Sequence, residues 1–227
     1  MKSVQIDRAM MSFLSELRKN NNRNWFNANK AEYEYSRNNF ADFLDDLITV
    51  TARFDTTLDW LVAEDCMFRT HRDLRFSRDK TPYKPGFGAH LVANGRRVDK
   101  GLAGYYIHVE PGLTRIACGS YQPPSPWLKR IRAEIANQGE AFEAIVKNPD
   151  FHAYFGELRG DTLKTIPRGY DKNHLHAEWL KRKGFLAYHS FDDSQVLSPD
   201  FVSVVAAGYQ QAFPLIKFLN AALPDIQ

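Results

Sequence analysis

The sequence predicts an α+β fold: a central, mainly antiparallel sheet with two N-terminal helices and a helical C-terminal half. Apolar residues recur at helical spacing near both ends of the 227-residue chain, whereas its middle holds short β-forming segments separated by turn residues. Sequential strands with short connections favour antiparallel pairing. Because neither a repeat nor a linker divides the chain, we expect a single α+β domain over residues 1–227.

Two helices are expected at the N-terminus. The first is indicated by apolar residues at helical spacing: Ile6, Met10, Phe13, Leu14 and Leu17. Asparagines occupy residues 20–22 and should end it, because asparagine favours turns and helix caps. A short turn around Trp25 and Phe26 then leads into a long second helix, which runs from near Asn29 to Phe54.

Five segments are predicted to be strands: residues 66–76, 86–93, 104–110, 113–121 and 185–191. Typical hairpin turns between them are Asn94 with Gly95 and Pro111 with Gly112. The last segment is expected to join the sheet formed by the earlier ones. Cys66 and Cys118 both fall in these segments, and we expect each to be a buried, reduced thiol.

Helical spacing returns after Pro123 and fills most of the remaining chain. Prolines next to polar residues mark three helix starts: Ser125 with Pro126, Pro149 with Asp150, and Ser198 with Pro199. Pro214 should interrupt or kink the last helix, because proline lacks the N–H group that a helix interior requires.

The overall composition is that of an ordinary globular protein, with 44% hydrophobic and 25% charged residues. The net charge of +3 argues only weakly for a nucleic-acid partner, since proteins that wrap nucleic acid usually carry a larger excess. The N-terminal residues lack the apolar core of a signal peptide, and no apolar run reaches the roughly 18 residues that span a bilayer. We therefore expect a cytoplasmic protein without a membrane partner.

The most distinctive stretch is residues 69–84, termed the basic segment. It contains six Lys/Arg and two Asp, a local charge of +4, whereas the whole chain carries +3. If the segment is extended, its side chains alternate, and one face carries four ionisable residues: Arg69, His71, Asp73 and Arg75. Such a face must look into water or a polar cleft, because burying several charges without partners is prohibitive.

The basic segment also carries a family resemblance. Residues 72–84 read RDLRFSRDKTPYK, which resembles the signature of the bacterial and fungal family known as domain of unknown function 2461. Similar motifs at residues 13–33, 104–111 and 163–174 extend the resemblance over nearly the whole chain. One departure is the run at residues 118–120, where the family favours more glycine. The resemblance implies one α+β domain and brings no activity with it.

We expect the basic segment to bind a small anionic ligand that bears a phosphate or a carboxylate, because the positive charge is focused there. Pro82 within the segment and Pro85 directly after it should hold the donors in place. The candidate ligand-binding residues are Arg72, Arg75, Lys80, Tyr83, Lys84 and Lys164. The sequence leaves open whether the protein is an enzyme; if it is, the candidates for proton transfer are His71, Asp73, His108 and Glu110.

The sequence also allows other interpretations. His71, His90 and His108 with Glu110 have the composition of a metal site, but no closely spaced ligand pair supports one, so we expect neither a metal nor a cofactor. The first alternative function is a nucleic-acid-binding module, in which aromatic residues such as Tyr83 stack on bases. The second is a non-catalytic scaffold, in which the basic segment forms an internal salt-bridge network.

Overall fold

The computed structural model describes residues 4–75, 77–93 and 102–223. It confirms the α+β class, with a four-stranded antiparallel sheet and helices at both ends of the chain. The strands, which are neighbours in this order, are β1 (Phe87–Leu91), β2 (Gly104–Val109), β3 (Arg115–Ser120) and β4 (Phe185–Ser190). Each lies inside a segment that was predicted to be a strand. The predicted turn at residues 94–95 lies outside the described residues.

Helices precede the sheet and surround its last strand. In chain order they are α1 (Arg8–Lys19), α2 (Arg23–Ala28), α3 (Lys30–Ala52), α4 (Ala63–Cys66), α5 (Ser125–Asn137), α6 (Gly139–Val146), α7 (Pro149–Phe155), α8 (Ala177–Leu180), α9 (Asp193–Val196) and α10 (Phe201–Ala221). A 3₁₀ turn, Thr56–Leu58, follows α3. Within the described ranges, no helix is both long enough and apolar enough to cross a membrane.

The asparagine run separates α1 from the next helix, as predicted. The Asn20 N–H donates to the carbonyl of Glu16 and closes α1. The side chain of Asn22 then caps α2 by accepting from the Trp25 N–H at 3.0 Å. Helix α2 is an addition to the prediction, which placed only a turn there. The long helix α3 has nearly the predicted bounds.

The two faces of the sheet differ in what covers them. On one face, Tyr105 of β2 is fully buried and contacts Tyr209 of α10 at 4.7 Å between ring centroids. Phe87 of β1 stacks on Phe40 of α3 on the same side, at 5.5 Å. The other face is only partly covered, as is common for antiparallel sheets. Every second residue of β2 points to this open face, which carries the polar side chains considered below.

The hydrophobic core joins the N-terminal helices, the sheet and the C-terminal half into one cluster of buried side chains. Phe43 of α3 contacts Phe201 of α10 at 5.6 Å, and Phe142 of α6 contacts Phe185 of β4 at 5.9 Å. Burying such a ring contributes roughly 1.5–3 kcal/mol. The open face of β2 is therefore backed by a packed layer, which fixes the positions of its side chains.

The first predicted strand, residues 66–76, is wrong. Cys66 ends the short helix α4, and the described residues 67–75 make only isolated bridges, from Met67 to Ala89 and from His71 to Tyr83. The paired segment contains Pro82 and Pro85, which have no N–H for a continuous ladder. Cys66 is thus not in a strand, although both it and Cys118 are buried free thiols, as predicted.

The C-terminal helices also correct two details. Helix α5 begins at Ser125 with Pro124 in the cap position, so the serine is the first helical residue and not the cap. Helix α10 begins at Phe201 and continues through Pro214 to Ala221, so Pro214 does not interrupt it; the kink that was predicted as the alternative stays a prediction. A proline costs about 3 kcal/mol in a helix interior. The apolar residues that α10 buries in the core offset this cost.

Candidate functional site

A cleft opens on the partly covered face of the sheet, between β2 and the basic segment, and is termed the β2 cleft. Its volume is about 450 Å³, which is within the range of small-molecule sites. The side chains and glycines that line it are Phe68, Arg72, Asp73, Lys84, Pro85, Gly86, Gly88, Tyr106, His108, Glu110 and Arg115. The cleft thus combines cations, a histidine, two carboxylates and two aromatic rings.

Three polar side chains follow one another along β2 and its end: Tyr106, His108 and Glu110, termed the β2 row. They share a face because residues two apart on a strand point the same way. His108 Nε2 lies 2.7 Å from Glu110 Oε2, and the Tyr106 hydroxyl lies 3.3 Å from His108 Nδ1. Since a carboxylate only accepts, Nε2 is the donor, and Nδ1 of the neutral ring accepts from Tyr106.

The electrostatic surroundings favour this protonation state. Burial lowers the pKa of His108; the hydrogen bond with Glu110 opposes the shift, and the nearby cations Arg115 and Lys84 add to it. Burial also raises the pKa of Tyr106, with Arg115 opposing. At neutral pH the imidazole is therefore uncharged and the tyrosine keeps its proton. Both groups are in the form that proton transfer requires.

Glu110 is anchored from the far side by helix α1. Arg18, in the last turn of α1, donates to Glu110 Oε1 at 3.1 Å and to the Pro111 carbonyl at 2.7 Å. The backbone N–H of Glu110 donates to the Thr114 hydroxyl at 3.2 Å. These contacts hold the carboxylate in one orientation, so that its other oxygen faces His108.

Two glycines leave room beside the β2 row. Gly88 of β1 pairs directly with His108, and a Cβ there would lie 3.3 Å from the Tyr106 hydroxyl and 3.6 Å from His108 Nδ1. At Gly86 a Cβ would lie 2.9 Å from both Glu110 Cβ and His108 Cε1. Side chains at these positions would fill the cleft above the row. Gly88 therefore keeps the Tyr106 hydroxyl open to the cleft, and Gly86 leaves room beside His108 and Glu110.

The basic segment forms the opposite wall, and backbone hydrogen bonds hold it in place. The Phe68 N–H donates to Gly88 O at 2.8 Å, and the Lys84 N–H donates to Thr70 O at 2.8 Å. The side chain of Asn21 clamps Tyr83, donating to its carbonyl at 2.9 Å and accepting from its N–H at 3.0 Å. The segment is thus docked on the core rather than projecting as a loose loop.

The side chains of the basic segment alternate in exposure although the segment is not a strand. The ionisable face that the sequence singled out is exposed to water: Arg69, His71, Asp73 and Arg75. Arg72, which belongs to the opposite face, lines the cleft together with Phe68, the residue directly before the segment. Asp73 reaches the rim of the cleft. The floor of the cleft is formed by β2, and the basic segment provides a wall.

Each acidic side chain at or near the cleft is matched by an arginine. Arg75 donates to Asp73 at 2.7 Å, and its hydrogen bonds lower the pKa of Asp73 to about 2. In the same way Arg72 pairs with Asp79, and Arg18 pairs with Glu110. Lys84 and Arg115 add two further cations. Five cations against three carboxylates leave this cluster with a net charge of +2.

Half of the candidate residues meet at the cleft: Arg72, Asp73, Lys84, His108 and Glu110. The other five are not among its lining residues: His71, Arg75, Lys80, Tyr83 and Lys164. Arg75 still acts on the site through Asp73. The remaining four have other surroundings, which their local contacts explain.

Tyr83 is a core residue, since it is 4% exposed and its ring stacks on Phe26 at 3.9 Å between centroids. His71 is exposed, and its ring contacts the edge of Tyr83 at 5.0 Å. Lys80 donates to the carbonyl of Leu74 at 3.1 Å and holds the turn. Lys164 is exposed. The backbone N–H of its neighbour Leu163 donates to the carbonyl of Lys181, directly after α8.

Sequence reasoning missed Tyr106, Arg115, Phe68 and the two glycines. The signal for Tyr106 was present, because it is two residues before His108 and must share its face. Arg115 could also have been found: a two-residue turn at Pro111 and Gly112 places it opposite His108, as the observed register does. Arg18 gave no such signal, since its contact with Glu110 depends on how α1 packs.

The three histidines that were considered as metal ligands do not form a cluster. His90 and His108 share the open face, because His90 pairs with Tyr106 in the register of β1 and β2. His71 contacts Phe26 and Tyr83 instead. Across the described ranges, no group of three or more His, Cys, Asp or Glu side chains could hold a metal ion.

The fold and the site define an α+β protein with a polar cleft on the open face of an antiparallel sheet. The chain belongs to the family described as conserved hypothetical protein (DUF2461), whose model matches residues 9–218. This confirms the family that the sequence motifs indicated. Neither a curated protein nor a solved structure matches the chain.

Proposed function

We propose that the β2 cleft binds a small molecule bearing a phosphate or a carboxylate, and that the β2 row provides proton transfer to it. One observation carries the proposal: cations from separate parts of the chain, Arg72, Lys84 and Arg115, line the same cleft as the neutral imidazole of His108. Fixed cations stabilise negative charge on a ligand, and a neutral imidazole can accept a proton, directly or through a side chain that is hydrogen-bonded to it.

The charge balance of the site supports an anionic ligand. The carboxylates at the rim and at the end of β2 each have an arginine partner, so Asp73 and Glu110 do not repel an anion at full strength. Arginine forms bidentate, charge-assisted hydrogen bonds with phosphates and carboxylates. Arg115 and Lys84 both lie near His108, which supports binding of the charged group beside the β2 row.

Thermal unfolding in the presence of inorganic phosphate, and separately of acetate, tests this function. A ligand present at 100 times its Kd adds about 2.7 kcal/mol to the free energy of unfolding, so the midpoint should rise with concentration. Lys84→Ala and Arg115→Ala should reduce the rise. Lys164→Ala removes an exposed lysine that does not line the cleft, and it should leave the rise unchanged.

The proposal fails if neither anion shifts the midpoint of the wild type. It also fails if Lys164→Ala weakens the response as much as Arg115→Ala, because binding would then lie elsewhere. A response to a single-stranded oligonucleotide that falls steeply with salt would favour the nucleic-acid alternative. The rings of Tyr83, in the basic segment, and Phe87, shortly after it, are 4% and 2% exposed. Stacking on nucleic-acid bases would therefore require other residues.

The scaffold alternative is favoured by one observation, the ion pairs within the basic segment. Arg75 with Asp73 and Arg72 with Asp79 link residues of the same segment. In this interpretation the pairs shape the segment and no ligand matters.

The cytoplasmic location remains a proposal, and the buried thiols of Cys66 and Cys118 are compatible with a reducing compartment.

A further inference from the structure

We infer that Tyr106 is the residue that exchanges a proton with the anion in the β2 cleft, and that His108 acts through Tyr106. The inference rests on the proposed function and names its reacting atom, the Tyr106 hydroxyl oxygen. It comes from the hydrogen bonds of the imidazole: Nε2 is engaged by Glu110 at 2.7 Å and Nδ1 by Tyr106 at 3.3 Å. Both ring nitrogens are therefore occupied within the protein.

The Tyr106 hydroxyl keeps a free acceptor position. A phenolic oxygen has one hydrogen to donate and two lone pairs to accept. Its hydrogen points to His108, which leaves the lone pairs for a hydroxyl or acid group of a ligand. Gly88 keeps this side open, because any Cβ at that position would lie 3.3 Å from the hydroxyl.

The row can move one proton without forming a free tyrosinate. A ligand O–H gives its proton to the Tyr106 oxygen while the hydroxyl hydrogen of Tyr106 moves to His108 Nδ1. The hydrogen on His108 Nε2 then moves to Glu110 Oε2. The ligand loses one proton and Glu110 gains one; the reverse sequence protonates the ligand. Burial raises the pKa of Tyr106, so a concerted transfer is favoured over an isolated tyrosinate.

This geometry defines the class of ligand. Its charged group lies beside Lys84 and Arg115, and a hydroxyl or ester oxygen of the same molecule reaches Tyr106. Phosphate monoesters and hydroxy acids both have this form. Phe68 contacts the ring of Tyr106 at 6.0 Å between centroids and provides an apolar wall for the carbon part of the ligand.

An anionic covalent probe can test whether Tyr106 is activated in this way. In 4-(fluorosulfonyl)benzoate, the carboxylate can bind the cations while the sulfonyl fluoride reacts with a phenol. The Tyr106 oxygen bonds to sulfur, the S–F bond breaks, fluoride leaves, and the hydroxyl proton goes to His108 Nδ1. The full-length wild type should gain one label in the tryptic peptide 101–115, which contains Tyr105 and Tyr106.

Fragment spectra should assign the label to Tyr106, because Tyr105 is 0% exposed. His108→Gln should slow labelling about 100-fold, the lower range of what a positioned base contributes. Gly88→Ala should also slow it by blocking access. Tyr121→Phe is the matched control: Tyr121 is an exposed tyrosine outside the cleft lining, and its loss should leave the labelling of Tyr106 unchanged. Benzenesulfonyl fluoride, which lacks the carboxylate, should react more slowly.

Labelling of Lys84 with Tyr106 left unmodified would overturn the inference, and so would an unchanged rate in His108→Gln. If that variant fails to fold, the ¹⁵N shifts of the His108 ring in the wild type decide. A proton on Nε2 and none on Nδ1 is expected; a proton on Nδ1 would contradict the row. If phosphate binds as proposed but Tyr106 is not labelled, only this inference falls. If phosphate does not bind, the proposed function falls first.

Discussion

The basic segment and the β2 row are two polar regions that face the same cleft, but water reaches them differently. In the basic segment, the side chains of Arg75 and Asp73 are 78% and 51% exposed. In the β2 row, the side chains of His108 and Glu110 are 12% and 11% exposed. Solvent screens the exposed pair, whereas the shielded pair interacts in a medium of lower polarity.

Charge is densest in the basic segment, but it has its larger energetic effect in the β2 row. The basic segment attracts attention in the sequence because six cations fall within residues 69–84. The β2 row shows only three polar residues in an otherwise ordinary strand. Yet the row is where burial shifts the pKa of a histidine and a tyrosine. In the proposed function, the segment positions cations and the row supplies the groups that exchange protons.

The largest effect should come from removing Glu110. Glu110→Ala leaves the mostly buried His108 without its acceptor and removes the carboxylate partner of Arg18, which should lower the free energy of unfolding by about 3 kcal/mol. Urea denaturation followed by circular dichroism measures the change. The matched control is Glu157→Ala, since that glutamate pairs with a histidine but is 78% exposed. Equal stabilities of the two variants would show that the row contributes no more than a surface pair.

The next largest effect should come from the clamp on the basic segment. Asn21→Ala removes both hydrogen bonds to the backbone of Tyr83, a buried residue, and should lower the free energy of unfolding by about 2 kcal/mol. Asn24→Ala, at an exposed position of α2, should have little effect and serves as the control. Equal midpoints for the two variants would mean that the segment is held by its ion pairs instead.

The sequence was sufficient for the long helices and the four strands, and insufficient for their contacts. Local apolar spacing located the long helices and the four strands, because those patterns reflect which residues face the core. It failed at residues 66–76, where β-forming residues suggested a strand and the prolines of the distant partner segment limited pairing to single bridges. That limit depends on which segments meet, and a local pattern does not contain this information.

The candidate site divides in the same way. His108 and Glu110 were placed on one face by strand alternation, and the cations of the basic segment were visible as a motif. The contacts that hold the site were not visible, because they join distant residues. Arg18 and Glu110 are 92 positions apart, and Asn21 and Tyr83 are 62 positions apart. Such pairs depend on how α1 and α2 pack.

A third effect should appear in the pH dependence of stability. The pKa of His108 is lower in the folded chain than the ordinary value of about 6.5. As pH falls below about 6.5, the unfolded chain takes up a proton that folded His108 does not, so stability decreases. The slope should reach at most about 1.4 kcal/mol per pH unit. Urea denaturation at several pH values measures it, and His108→Gln should remove this contribution.

Asp73 provides the contrast. A lowered pKa means that the fold favours the charged form of this carboxylate, whereas it favours the neutral form of His108. The pKa of Asp73 is lowered from 3.8 to about 2 by Arg75, so the stability it contributes is present above 3.8 and is lost as pH falls towards about 2. The two regions should therefore lose stability in separate pH windows. If the slope just below pH 6.5 is unchanged in His108→Gln, the imidazole is not held in its neutral form by the fold.

The smallest effect on stability should come from the exposed pair itself. Asp73→Asn and Arg75→Ala should each unfold at nearly the same urea concentration as the wild type, because water screens both side chains. Binding should respond where stability does not. Asp73 lies on the rim of the cleft, so Asp73→Asn removes a negative charge and should tighten inorganic phosphate about two- to fivefold, measured by calorimetry. Arg75→Ala should weaken it, since Asp73 then loses its partner. If instead both variants unfolded early and bound phosphate like the wild type, the pair would be a structural lock, and the division between the two regions would be reversed.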